Sequence, residues 1–207
     1  MEIYFPSCNY AKAHPQTAKR IMDYMRRRMP VAGCCRYDRK AYGPEDCGIV
    51  NCQACREVLA PKLAIRSIWE YLDAQEDFPW PDYQGLTVNL QDCWRDRHQP
   101  QVHRAVRSLL GRMGVSIVEI AQNRARATFC GNLHVEPQDP ENLRRLQAYP
   151  DVPVYELPGE LERALMREQT AQYTCAQVVC TCNRCEQGIR LGGAQAVHLM
   201  DLVFPPA

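Results

Sequence analysis

The chain carries almost no net charge. Across 207 residues, 25 Lys and Arg face 24 Asp and Glu, a formal balance of +1. Such a balance leaves no global field to draw the protein to nucleic acid or to an anionic membrane, so neither is expected as a partner and recognition falls to local sites. Long apolar runs are missing too. No stretch approaches the ~18 uninterrupted apolar residues of a membrane helix, so direct insertion is not expected. The opening residues, Met1-Glu2-Ile3-Tyr4-Phe5-Pro6-Ser7-Cys8, lack the basic stretch, apolar run and small-residue cleavage site of a secretory signal. The cytoplasm is therefore the expected compartment. No Gly-rich loop has phosphate-binding spacing, so no nucleotide or flavin site is expected in this chain. No Ser/His/Asp order stands out as a nucleophile system, and Trp69, Trp80 and Trp94 are too scattered for a base-stacking platform.

What the chain has in excess is cysteine, twelve in all. A reducing compartment does not keep structural disulfides, and thiols that abound there bind metal or do redox chemistry. Disulfides in a secreted protein are the main rival. With 46% hydrophobic residues the chain can bury a core, as one ordinary globular unit or two small ones.

The order of signals repeats. The segment from Gln75 to Gly85, with Pro79, Pro81 and Gly85, interrupts both helix and strand patterns and reads as a linker. Glu2 to Phe5 is a short apolar strand leading to Cys8, and Leu86 to Leu90 leads in the same way to Cys93. An amphipathic helix follows each. Ala18, Ile21, Met22, Met25 and Met29 recur at helical spacing between Pro15 and Pro30, and Val102, Val106, Leu109, Leu110 and Met113 form a second stripe. Further on, Cys47 to Cys55 aligns with Gln177 to Cys185 at a constant offset of 130 residues, which extends into Ile65, Ile68 and Leu72 against Gln195, His198 and Leu202. Those last segments both read as closing helices. The longer second half holds two more helix candidates, Glu141 to Ala148 and Gly159 to Gln172. The fold class expected is α/β: two tandem, pseudo-symmetric cysteine-rich repeats, 1–78 and 86–207, joined by a linker at 79–85. Each is a small, mainly parallel sheet flanked by helices, the first being the trimmed copy.

The plan of each half is a lone Cys after a strand, a second site downstream, then Cys-x-x-Cys at the mouth of a helix. In the first half these are Cys8, the adjacent Cys34 and Cys35, then Cys52 and Cys55. A Cys-x-x-Cys turn lets two thiolates converge on one centre, and a helix N-terminus favours their negative charge. Neighbouring cysteines on a strand point to opposite faces, so a Cys-Cys pair serving one centre implies a turn and a large centre. A single zinc ion takes four ligands and has no use for five.

With Cys93, Phe129-Cys130-Gly131 and Cys182-x-x-Cys185 in the second half, the chain resembles two copies of the CCG cysteine-rich domain found in the cluster-carrying subunit of heterodisulfide reductase, over nearly its whole length. The resemblance implies a noncubane [4Fe–4S] cluster on each complete five-Cys motif, cleavage of a disulfide or related thiol substrate, and electrons from flavin- or ferredoxin-like partner subunits. This chain departs from the pattern in three ways, one being that its first-half spacings are shorter than usual. Arg36 follows the Cys pair where the family usually has Gly, and Phe129 replaces the first Cys of the second pair. The expected ligands are therefore Cys8, Cys34, Cys35, Cys52 and Cys55 for a noncubane first cluster, and Cys93, Cys130, Cys182 and Cys185 for a second cluster, cubane or a variant of it. Cys180 and His134 are possible extra ligands, although a buried free Cys or a lone His is more often a plain core or surface residue. Cys47 and Cys175 read as bystanders. Arg95, Arg97, Arg104, Arg107, Arg112, Arg124 and Arg126 gather in sequence around the second site, as an anion-binding face or as ordinary solvated surface. Alternatives to a disulfide oxidoreductase are a cluster protein that only relays electrons or anchors a complex, and a structural zinc protein.

Overall fold

The computed structural model describes residues 1–205. The chain divides into two compact units, one of 1–81 with Arg104–Arg112 and the residues from Met200 on, the other of Asp82–His103 with Met113–Leu199.

In the first unit, β1 (Glu2–Phe5), β2 (Cys47–Val50) and β3 (Ala64–Ser67) form a three-stranded sheet in the order β1-β2-β3, all parallel. Gly48, Ile49 and Val50 are all buried, as both faces of a covered parallel sheet require. Ile3, Phe5, Val50, Leu59 and Leu63 form a core that also takes in Cys35 and Cys55, so two of the thiols are part of the packing itself. Full burial of side chains such as Phe5 and Leu59 stabilises by about 1.5–3 kcal/mol each. After β1 come α1 (Cys8–Ala13) and α2 (Pro15–Arg26), the latter with Pro15 at its first position, where a missing N–H costs nothing. α2 ends before Pro30, because the N–H groups of Arg28 and Met29 both turn back to the carbonyl of Met25. α3 (Gln53–Leu59) leads to β3, and α4 (Ile68–Asp73) follows it.

The second unit repeats the order. β4 (Thr87–Gln91), β6 (Val178–Cys180) and β7 (Ala196–His198) correspond to β1, β2 and β3, and β5 (Ser116–Glu119) adds a fourth strand, in the order β5-β4-β6-β7, again all parallel. In the first unit a single parallel bridge from Val31 to Tyr4 stands where β5 pairs with β4. α5 (Pro100–Arg112) follows β4, α8 (Asn183–Leu191) follows β6, and α9 (Leu199–Val203) follows β7. The extra length lies in α6 (Pro140–Leu146) and α7 (Gly159–Thr170). Leu161, Leu165 and Met166 of α7 pack into the core around Phe129 and Ile189.

Both closing segments differ from the expected helices. Each is a strand, β3 or β7, followed at once by a helix. At β3 the cause is local: Ser67 and Glu70 form a capping box that fixes the helix start at Ile68, so the residues before it are left to pair with β2. Among the described residues no helix is long and apolar enough to cross a membrane.

Candidate metal centres

Each group of cysteines lies just past the carboxyl ends of a parallel sheet, where loops rather than strands decide what is presented. In the first unit Ser7 caps α1 by accepting from the N–H of Tyr10 at 3.2 Å, which places Cys8 at the exposed first position of that helix. Cys34 and Cys35 sit in the turn after the Val31 bridge, closed by the N–H of Tyr37 on the carbonyl of Cys34 at 3.0 Å. The turn splits the pair: Cys34 is half-buried and Cys35 is buried. Cys52 is the N-cap of α3, with extended backbone, and Cys55 lies three residues on, buried in the first turn. The Sγ atoms of Cys35 and Cys55 are 3.3 Å apart, the Cys8 and Cys34 thiols are hydrogen-bonded, and Cys52 accepts from the Cys55 thiol and the Ser7 hydroxyl.

These contacts set the protonation order. The hydrogen bond from Cys55, outweighing burial, lowers the Cys52 thiol to about 6, and the same bond, reinforced by burial, pushes Cys55 far up. The N–H of Arg36, and after it Cys8, holds Cys34 below the usual thiol range. Burial first, then the bond to Cys34, raises Cys8.

In the second unit the Sγ atoms of Cys93, Cys130, Cys182 and Cys185 all lie within 4.8 Å of one another. Cys93 and Cys130 approach to 3.3 Å. Cys182 is the N-cap of α8 with nearly the same backbone angles as Cys52 (φ −136°, ψ 129° against φ −133°, ψ 129°), so the two Cys-x-x-Cys turns are built alike. Hydrogen bonds from Cys130, Cys185 and Cys93 converge on Cys182 and hold it well below the usual range. Burial and those partners raise Cys185; hydrogen bonds with Cys130 and Cys182 raise Cys93.

The approach of α8 depends on glycine. Gly131 has φ +55°, and a Cβ there would overlap the carbonyl of Arg184. A Cβ on Gly188 would come within 2.6 Å of the Gly131 Cα and 2.9 Å of the Phe129 ring. Cys130 and Cys185 meet because these two glycines let the chains touch. Gly188 was not evident as a site residue in the sequence; the signal for it is a glycine inside an otherwise regular helix. Ser7, next to Cys8, went unnoticed as well.

Phe129 is fully buried, its ring beneath α8 and its carbonyl accepting weakly from the Cys185 thiol at 3.8 Å. Cys180 ends β6, fully buried and raised by that burial, with its thiol directed to the carbonyl of Cys182 at 3.7 Å. The His134 ring stacks on Trp94 at 4.0 Å between centroids, and its Nε2 lies 3.0 Å from Glu136 Oε1. Neither belongs to the close group of four. Cys47 opens β2, and Cys175 is held through its backbone N–H by Asn89. The arginines divide: Arg104, Arg107 and Arg112 lie in the part of α5 that belongs with the first unit, whereas Arg97 and Arg124 contact Trp94 and Asp92, the neighbours of Cys93. Arg97 stacks on Trp94, and Arg124 pairs with Glu119.

All twelve cysteines are free thiols. Soft sulfur donors, with no oxygen ligand among the four of the second set, suit zinc, Cu(I) or an iron–sulfur centre and disfavour magnesium or calcium.

Fold and site together define an α/β protein of two parallel-sheet units, each carrying a thiol cluster at the carboxyl edge of its sheet. No family model matches the chain, and no curated protein matches it. Among solved structures it is similar to glutamate racemase isoform RacE1 from Bacillus anthracis, at a TM-score of 0.37 and 8% identity over 98% of this chain and 77% of that one. A likeness that slight carries no argument.

Proposed function

We propose that the chain is the iron–sulfur subunit of a cytoplasmic, heterodisulfide-reductase-like oxidoreductase, receiving electrons from flavin- or ferredoxin-like partner subunits and delivering them to a disulfide. The observation that carries this reading is the gathering of cysteines far apart in sequence at two separate places, each around a Cys-x-x-Cys helix start. Cys8, Cys34, Cys35, Cys52 and Cys55 would hold the first cluster, and Cys93, Cys130, Cys182 and Cys185 the second. Clusters so held supply one-electron steps to a reaction that needs two electrons and two protons to convert one disulfide into two thiols. The protein's own part is to keep Cys52 and Cys182 ready as thiolates, to bury Cys35 and Cys55 so that one side of the first centre is dry, and to leave Cys8 and Cys34 at the open side. An alkyl disulfide would reach the first centre from there.

A second reading for the second unit has one observation behind it. Thiolates on one tetrahedral zinc ion with bonds near 2.3 Å stand roughly 3.8 Å apart, and four sulfurs within 4.8 Å of one another suit that size. Anaerobically prepared protein settles both points. Iron, zinc and acid-labile sulfide are counted, and dithionite-reduced protein is mixed with a disulfide in single turnover. Iron with sulfide and thiol release support the oxidoreductase. Iron and sulfide without thiol release leave a relay, and a colourless protein with zinc alone overturns the iron reading.

A further inference from the structure

The loops that leave β4 and β5 at their carboxyl ends carry an excess of one charge. Residues 92–99 and 120–127 hold Arg95, Arg97, Arg124 and Arg126, and their only acids are Asp92 and Asp96. Both aspartates are buried, whereas Arg124 and Arg126 are exposed and Arg95 and Arg97 half-buried. The short turns Trp94–Asp96 and Arg124–Arg126 pack together, so the four arginines share one face of the second unit. Two exposed acids border it, Glu119 at 3.1 Å from Arg124 and Glu136 at 3.0 Å from His134, and they leave the face positive. Arg124 is strained, with φ +57°, a conformation that costs an L residue roughly 1–2 kcal/mol. It is fixed there because its N–H donates to Asp92 Oδ2 at 2.9 Å, while the N–H of Asp92 donates to Asn123 Oδ1 at 2.9 Å. One buried carboxylate thus ties the arginine turn to the residue before Cys93. Trp94, the residue after it, leads inward. Its side chain packs on the core that contains Cys93, Cys130 and Cys185, and Arg97 and His134 both stack on its ring at 4.0 Å.

We infer that this face docks the acidic surface of a one-electron carrier protein, and that Trp94 is the contact through which electrons enter the second centre. The inference rests on the function proposed above and adds to it where the donor binds and what holds it there. The complement of exposed guanidinium groups is a surface rich in carboxylates. Cys93, Cys130 and Cys185 are fully buried and give a donor no thiol to touch, so a ring that reaches from their core to the surface is the short route. In each encounter the carrier is oxidised and the second centre reduced by one electron. Contact steered by charge over a small area then lets the spent carrier leave.

Calorimetry and stopped-flow spectroscopy on the anaerobically prepared full chain test this, with a plant-type ferredoxin as the acidic probe. At low ionic strength the ferredoxin should bind the parent protein, and at least about tenfold more weakly the variant Arg97→Gln/Arg124→Asn/Arg126→Gln, as the loss of charge complementarity requires. Asn is chosen at 124 because it accepts the left-handed backbone. At about 1 M salt, where charges are screened within about 3 Å, parent and variant should bind alike. Metal content, the visible spectrum and reduction by photoreduced lumiflavin, a small neutral flavin, should be the same in both. Arg145→Gln/Arg163→Gln, on α6 and α7, should bind as the parent does. Trp94→Leu should keep ferredoxin binding but slow reduction by the bound carrier, and Trp94→Phe should restore most of the rate. Absent binding by the parent, unchanged binding in the triple variant, equal binding of the basic cytochrome c, or a single-stranded oligonucleotide held more tightly than ferredoxin by the same arginines overturns the docking face. Unslowed reduction of Trp94→Leu overturns the route. Arginine-dependent binding to protein whose centres take up no electrons would keep the face and sink the oxidoreductase. Ferredoxin-driven disulfide cleavage at the parent rate in the triple variant would do the reverse.

Discussion

Two glycines make the second centre, and the first centre is built without them. At the places of Gly131 and Gly188 the first unit has Arg36 and Val58, and there Cys35 and Cys55 come to 3.3 Å without either glycine. Gly131→Ala is expected to destabilise the second unit by roughly 3 kcal/mol or more, because positive φ and backbone overlap act together. A thermal melt and a metal count should show the second metal lost and the first kept. Phe129 invites the opposite error. Writing Cys there would complete a Cys-Cys pair like Cys34-Cys35, but the ring fills core beneath Gly188. Phe129→Cys should therefore cost about 3 kcal/mol, in the range of large-to-small core changes, and create no fifth ligand; urea unfolding and the spectrum of the second centre would show it. Cys34→Ser, by contrast, touches a half-exposed thiol at the turn and should leave the fold alone. Its expected effect is loss of the first centre's own spectroscopic signature with the second unchanged. Identical signatures from both sites in the parent protein would refute the non-equivalence.

Among the elements, those with strong periodicity or with proline and cysteine punctuation were legible in the sequence. They are the strand at Glu2–Phe5, the helices at Pro15–Arg26, Pro100–Arg112 and Gly159–Thr170, and the two Cys-x-x-Cys helix starts. The closing segments were not. Ile65, Ile68 and Leu72 have helical spacing, yet Ile65 pairs with Gly48 in the sheet and only Ile68 and Leu72 are helical. What divides them is Ser67, whose hydroxyl accepts from the N–H of Glu70 at 3.2 Å and donates to its carboxylate at 2.6 Å. Ser67→Ala should lower stability by about 1 kcal/mol, the usual worth of a cap, read as a shifted urea midpoint at unchanged slope. An open cleft lined by Cys34, Tyr37, Arg39 and Lys40 was invisible for another reason. A charged stretch without periodicity reads as solvated loop until the fold sets it beside Cys34.

At the scale of the whole chain, one plan is used twice with unequal outcomes: β1-β2-β3 recurs as β4-β6-β7, and Cys52 recurs as Cys182 with matching backbone angles. The copies differ in cover. The second keeps its thiols under α7, α8 and the Phe129 core, with Cys93, Cys130 and Cys185 fully buried, whereas the first leaves Cys8 exposed and Cys34 beside an open cleft. A centre that must meet a substrate needs the open setting, and a centre that only passes electrons is served by the covered one. Chemistry is thus expected at the first unit. Cys55→Ser should abolish single-turnover disulfide cleavage, because it removes the buried thiol that contacts Cys35 on one side and Cys52 on the other. Cys185→Ser should mainly slow delivery of electrons from the donor. Cleavage by protein already reduced at the first centre should survive it, seen as thiol released within one turnover. The reverse pattern, with Cys55→Ser active and Cys185→Ser inert in single turnover, would move the substrate to the second unit. That would require its covered thiols to open, which native-state thiol alkylation in the presence of substrate would detect at Cys93 and Cys130.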